Sequence, residues 1–151
     1  MLRITLLLAV LLAPALATAD AHKNNAHESD AHKLVIHVNE NDPRLFHEIL
    51  TNINNLEAHY QSLDQDIIFE VVAYGQGLNM LIKDESPVED RVEYMSFAIE
   101  NITFTACGNT LDAREKSSGE RPELIDEVTI AQTGIARIIA LQEMGYSYLK
   151  P

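Results

Sequence analysis

The sequence predicts an α/β fold: a three-layer α/β/α sandwich around a mostly parallel sheet of about five strands. Two observations point to it. From residue 33 onward, short apolar runs alternate with longer stretches at helical spacing. The first run, residues 33–39, is also nearly continuous in apolar residues, as in a parallel strand covered on both faces.

Residues 33–39, Lys-Leu-Val-Ile-His-Val-Asn, form the first strand. Asp42 and Pro43 then open a helix, Asp as N-cap and Pro at the first helical position. Leu45, Phe46, Ile49, Leu50, Ile53, Leu56 and Tyr60 give it one apolar face. His47 and His59 are too far apart on this helix to make a metal pair, and read as surface or packing residues.

Residues 66–74 form the second strand and close a β-α-β unit. Gly75-Gln76-Gly77 follows directly. Gly75 and Gly77 permit close backbone approach to a ligand, and the same pair suits a tight turn. No GxGxxG or Walker A spacing surrounds them, so they are not a nucleotide signature. Tyr74 is either a pocket wall or a half-buried aromatic.

Ser86-Pro87-Val88-Glu89 predicts a capping box with Pro at the first helical position. The helix should run to about residue 101, with Val88, Val92, Met95, Phe97 or Ala98, and Ile99 on its apolar face. A strand over 102–107 and a short helix over 111–116 come next. The polar loop over 117–122 suits a flap over a strand edge. Residues 127–131 are a fourth strand candidate. Thr133-Gly134 turns into a helix over 135–144 whose apolar face includes Ile135, Ile138, Ile139 and Leu141. Gly145 is placed as its C′ glycine, and 146–149 is the last strand.

Composition narrows the function. The chain has 151 residues, of which 46% are hydrophobic, which suits one domain with one core. Its formal charge of −12 repels nucleic acid phosphates and anionic lipid, so neither is expected as a partner. No Ser-His-Asp signature, HExxH or paired-cysteine zinc pattern is present, and no cofactor is implied.

Residues 1–19 read as a signal peptide. Arg3 is the positive n-region, residues 4–16 are apolar, and Ala17-Thr18-Ala19 is a small-x-small cleavage site. The run is short for a transmembrane helix and contains Pro14, so no stable membrane insertion is expected after cleavage. The mature chain then starts at Asp20 and is periplasmic or secreted. Residues 20–32 are a polar, flexible tail with His22, His27 and His32. A free amine at Asp20, two backbone amides and the His22 imidazole can wrap a square-planar Cu(II) or Ni(II). This resembles the amino-terminal copper and nickel motif of serum albumins. The alternative is a solvated spacer.

Cys107 is the only cysteine, so an internal disulfide is excluded even in an oxidising compartment. In the stretch 102–111, Ile102, Phe104 and Ala106 alternate with Thr103 and Thr105, and a helix then begins with Asn109 or Thr110 as N-cap. Cys107 thus falls where a strand ends and a helix begins. In open α/β sheets that edge gathers ligands, and a helix N-terminus favours a thiolate. An isolated cysteine is equally at home as a small buried hydrophobe.

The stretch Phe104-Thr105-Ala106-Cys107-Gly108-Asn109-Thr110-Leu111 and the closing Gly145-Tyr146-Ser147-Tyr148-Leu149-Lys150-Pro151 resemble the DsrE/DsrF-like family, a sulfur-relay superfamily. Residues 128–136 look like its strand, glycine turn and helix, and Tyr74-Gly75 with Gly77-Leu78 fits its second strand end. The resemblance covers residues 33–151. It implies a compact α/β domain that assembles into homo-oligomers. It also implies that a cysteine near a strand end, here Cys107, carries sulfur as a persulfide between thiol or persulfide donor and acceptor proteins. The Gly108 and Asn109 amides at the helix start would then stabilise the thiolate, and Arg114 one turn on either adds positive charge or is a solvated surface arginine. Gly75, Gly77 and Thr110 belong to the same candidate ligand pocket. The competing reading is a non-catalytic ligand-binding or oligomeric assembly module built on the same residues.

Overall fold

The structure is a computed structural model that describes residues 31–151. The expected signal peptide over 1–19, His22 and nearly all of the 20–32 tail lie outside the described residues. Five strands form one sheet: β1 (His32–Val38), β2 (Ile67–Ala73), β3 (Ile102–Cys107), β4 (Thr129–Ala131) and β5 (Ser147–Leu149). Their order is β4-β3-β2-β1-β5, and every neighbouring pair is parallel. Four α-helices join them: α1 (Pro43–Ser62), α2 (Glu89–Ala98), α3 (Gly108–Ser118) and α4 (Gly134–Glu143). A 3₁₀ segment (Gly75–Leu81) precedes α2. No helix among the described residues is long and apolar enough to cross a membrane.

From β1 to β4 each connection steps one strand in the same direction. The last connection reverses and returns the chain to β5, beside β1. Right-handed crossovers then put α1, α2 and α3 on one face of the sheet and α4 alone on the other. The core divides in the same way. On the first face, Ile36, Val38, Phe69, Val71 and Phe104 meet apolar residues of α1, Val92 and Met95 of α2, and Leu111 of α3. On the second, a smaller cluster joins Val35 and Val72 to Ile138 and Leu141 of α4. Successive strand residues point to opposite faces. His37, Glu70, Thr105 and Cys107 therefore share the α4 face with Val35 and Val72.

Several boundaries differ from the sequence reading, each for a local reason. β1 begins at His32, whose amide donates to Asp66 O at 2.8 Å, so this histidine belongs to the sheet rather than the tail. Asp42 caps α1 as expected, its Oδ1 accepting from Arg44 N at 2.9 Å. The capping box at Ser86 does not form. Ser86 Oγ donates to Met80 O at 2.6 Å, Glu89 Oε2 accepts from Asp84 N at 2.7 Å, and α2 starts only at Glu89. Phe97 lies off the Val88, Val92, Met95, Ile99 stripe and is 87% exposed. β4 is shorter than expected because Glu127 adopts a left-handed φ of +69°, which a strand cannot hold. Of the apolar face expected for α4, Ile138 and Leu141 are buried, while Ile135 and Ile139 face outward. Gly145 follows this helix with φ +89°, as a C′ residue requires.

Gly77 is a fixed point of the fold. A Cβ there would lie 2.5 Å from the Val38 carbonyl oxygen and 2.6 Å from its carbon. Both are backbone atoms inside the sheet, so neither can yield cheaply. Gly77→Ala should lower unfolding free energy by about 3 kcal/mol, measured by urea denaturation. Parent-like stability in this variant contradicts the close packing of the 3₁₀ segment on β1.

Candidate functional site

The reversal of the last connection creates the site. α3 leaves the end of β3 toward one face, and α4 leaves the end of the neighbouring β4 toward the other. Where adjacent parallel strands send their helices to opposite faces, a crevice opens beyond their carboxyl ends. Cys107 is the last residue of β3 and Gly134 the first of α4, and they meet in that crevice. The Gly134 amide donates to Cys107 Sγ at 3.2 Å.

Local chemistry explains the close fit. The β3–β4 ladder runs as far as Cys107 beside Ala131. Cys107 itself then occupies the N-cap position, and Gly108 is the first helical residue. The expected N-cap at Asn109 or Thr110 is thus displaced. Gly108 permits this because even a Cβ there would stand 3.2 Å from Gln132 Cα. The two polar side chains that would have capped the helix bond elsewhere. Asn109 Nδ2 donates to Thr133 Oγ1 at 3.2 Å, and Asn109 Oδ1 accepts from Gln132 Nε2 at 2.8 Å. Thr110 Oγ1 accepts from the Gly75 amide at 3.0 Å. Arg114 Nη2 reaches the Gly75 carbonyl at 3.2 Å. The structure therefore brings together Cys107, Gly108, Asn109, Thr110, Gly75 and Arg114. Gly77 stands one turn away, packed on β1. The 117–122 loop expected as a flap is tied back to α3, with Arg121 Nη1 on Asp112 Oδ1 at 2.7 Å and on Glu115 Oε2 at 2.9 Å.

Two effects oppose each other at the thiol. Burial, which leaves Cys107 5% exposed, disfavours the thiolate. The Thr110 hydroxyl and the amides of Gly134, Thr110 and Asn109 favour it, and together they outweigh burial, so the thiol pKa falls below its ordinary value. The N-termini of α3 and α4 both face this atom, and their partial positive charge acts in the same sense.

Other residues complete this edge, and of these the sequence offered Tyr74 as a pocket wall or a half-buried aromatic and Gly134 only as part of a turn. Gly134 has no room for a side chain: a Cβ would lie 3.2 Å from Cys107 Cβ and 3.3 Å from Tyr74 Cβ. Tyr74 is thus a wall of the crevice, and it stacks on His37 with ring centroids 4.9 Å apart. His37 Nδ1 lies 2.6 Å from Tyr148 Oη. Burial, then the charge of Lys150, lowers the His37 pKa and favours the neutral ring. Below the crevice, Glu70 is 3% exposed and paired with Arg137. A charged residue inside the apolar run 67–73 was a visible signal, but its partner lies 67 positions away. Among the described residues no group of three or more His, Cys, Asp or Glu is placed to hold a metal ion. A groove of about 630 Å³, lined by Asp90, Glu93, Tyr94, Phe97, Asp126 and Glu127, contains none of these residues.

No family model and no curated protein matches the chain. Among solved structures there is a clear likeness. The chain is similar to MTH1491 from Methanobacterium thermoautotrophicum, a protein of unknown function. The two are 29% identical with a TM-score of 0.67, over 80% of this chain and 99% of that one. This likeness supports the three-layer α/β/α fold on which the site rests.

A thiol pKa depressed by folding has a defined pH signature. Folding then stabilises the ionised form, so the contribution is full above the unfolded thiol pKa and is lost as pH falls through the folded value. The stability advantage of the parent over Cys107→Ser should therefore grow as pH rises toward the free-thiol range, in urea titrations across a pH series. A difference that stays flat with pH contradicts the depressed pKa.

Proposed function

We propose that this chain is an exported DsrE/DsrF-like protein that holds sulfane sulfur as a persulfide on Cys107 and passes it to an acceptor thiol. One observation carries the reading: a single thiol at the sheet's switch point, held by the Gly134 amide at 3.2 Å and ionising below its ordinary range. The resemblance of 104–111 and 145–151 to that family supports it. The likeness to MTH1491 supports the fold it needs.

The chemistry balances without an added oxidant. The Cys107 thiolate attacks the outer sulfur of a donor persulfide R–S–SH, the donor S–S bond breaks, and R–S⁻ leaves as Cys107–S–SH forms. An acceptor thiolate then attacks the outer sulfur of Cys107–S–SH and releases the Cys107 thiolate. Hydrogen-bond donors that hold the thiolate also suit it as leaving group in the second step. Donor and acceptor are thiol- or persulfide-bearing partners, met in the periplasm or outside the cell.

Burial of the thiol favours a second reading, a non-catalytic ligand-binding or assembly module. Native mass spectrometry after incubation with polysulfide separates the two. The relay reading expects an adduct of about 32 Da, one sulfur atom, in the parent and its absence in Cys107→Ser. An adduct that survives in Cys107→Ser, or never forms in the parent, sinks it.

Assembly is part of both readings. The outward side of α4 carries Ile135 and Ile139, each about half exposed, and Met144 follows. A second copy of the chain is the proposed cover. Light scattering should show an oligomer that Ile135→Lys/Ile139→Lys dissociates; a parent that runs as a monomer at all concentrations contradicts this.

A further inference from the structure

Glu70 lies in the middle of β2, on the face that α4 covers. Three donors converge on its carboxylate. Arg137 Nε donates to Oε1 at 2.8 Å and Arg137 Nη2 to Oε2 at 2.7 Å, a bidentate fork. Thr105 Oγ1 donates to Oε1 at 2.7 Å. Thr105 lies on β3, two residues before Cys107 and on the same face. Arg137 lies in α4, three residues after Gly134, and its amide donates to Thr133 O at 3.0 Å as the first bond of that helix. A single buried carboxylate thus holds both elements that form the thiol contact: the strand that carries Cys107 and the helix turn that presents the Gly134 amide.

We propose that Glu70 and Arg137 are positioning residues for Cys107, a clamp that seats the first turn of α4 so that the Gly134 N–H points at the sulfur. The inference deepens the persulfide reading and rests on it for its purpose, though not for its test. The donor on sulfur has little freedom of its own. Gly134 sits between Cys107 Cβ and Tyr74 Cβ, so a small shift of the helix moves the amide off the sulfur. The apolar contacts of α4 come from Ile138 and Leu141, one and two turns further along. In the first turn the ion pair ties the helix to the middle of the sheet, while Asn109 of α3 bonds the Thr133 and Gln132 side chains just before it. A charge pair also fixes geometry more sharply than apolar packing, because fork and carboxylate are planar and directional.

The charged or titratable groups on the elements packed around the thiol are Glu70 and His37 on the sheet, Tyr74 just after β2, Asp112 and Arg114 on α3, and Arg137 on α4, whereas the groups that act on the sulfur directly are Thr110, Gly134 and Asn109. Charge alone and positioning make opposite predictions for the pair. Removing the negative Glu70 favours a nearby thiolate through Coulomb's law, whereas loosening the Gly134 amide disfavours it.

The test titrates Cys107 by the pH dependence of its alkylation in folded protein. Parallel NMR spectra follow the Gly134 amide. The variants are Glu70→Gln, Arg137→Lys and the double substitution Glu70→Gln/Arg137→Met. Positioning expects the alkylation midpoint to rise in all three. The thiolate fraction at pH 7 should fall roughly threefold or more, as for a weakened bond to a charged acceptor. The Gly134 amide should lose its titration step. A midpoint that falls in Glu70→Gln, or stays unchanged in Arg137→Lys, overturns the proposal in favour of simple charge effects. Should a single variant fail to fold by circular dichroism, the double variant decides, because it leaves no buried unpaired charge. An unchanged midpoint there overturns the clamp. Polysulfide loading of the same proteins reads the relay separately: the titration is informative whether or not sulfur loads, and loading is informative whether or not the midpoint moves.

Discussion

The connection from β4 to β5 runs opposite to the three before it, and right-handed crossovers then send its helix to the face the others leave bare. Everything distinctive about the site follows from that reversal. β3 and β4 become neighbours whose following helices diverge, so a crevice opens beyond their ends. One helix start places Cys107 at the rim, and the other brings the Gly134 amide to its sulfur at 3.2 Å. Had the chain continued in one direction, α3 and α4 would lie side by side on one face, and no second N-terminus would reach the thiol.

The thiol is governed by a contest between burial and hydrogen bonding. Taking a thiolate out of water is unfavourable, and an apolar site would leave Cys107 protonated and inert. Here the surroundings are polar at short range: the Thr110 hydroxyl and the backbone amides at two helix starts. Hydrogen bonds to a charged acceptor are stronger than those between neutral groups. They win, while the walls formed by Tyr74 and Gly134 keep bulk water away. A thiol that ionises more readily than a free one, yet is 5% exposed, combines two properties that usually exclude each other.

The two faces of the sheet differ in kind. The first carries the large apolar core and accounts for most of the buried surface. The second is thinly covered, by one helix whose cluster is small, and it contains the polar residues His37, Glu70 and Thr105. The apolar core is concentrated on one side and the polar residues around the thiol on the other. The second face keeps its order through a directed ion pair where apolar area is scarce.

Much of this was legible in residue order. The capped start at Asp42-Pro43, the apolar stripe of α1 and the continuous strands depend on neighbours within one or two turns, so spacing alone reveals them. The position of Cys107 between strand and helix is local in the same way. The displaced N-cap and the lost capping box were not legible. Asn109, Thr110, Ser86 and Glu89 had alternative partners at other points of the fold, and a side chain bonds what is nearest in space. Glu70 was visible as a charge among Phe69, Val71 and Val72, but nothing in its own segment names Arg137.

The sequence by itself determined the elements, their order and the thiol at a strand end, because backbone propensity and periodicity act over a few residues. Only the tertiary structure decided that Gly134, 27 positions from Cys107, faces its sulfur, and that Glu70 and Arg137, 67 positions apart, tie that contact to the sheet. Those pairings follow from strand order and crossover hand, which belong to the packed sheet as a whole and leave no mark in any single stretch of the chain.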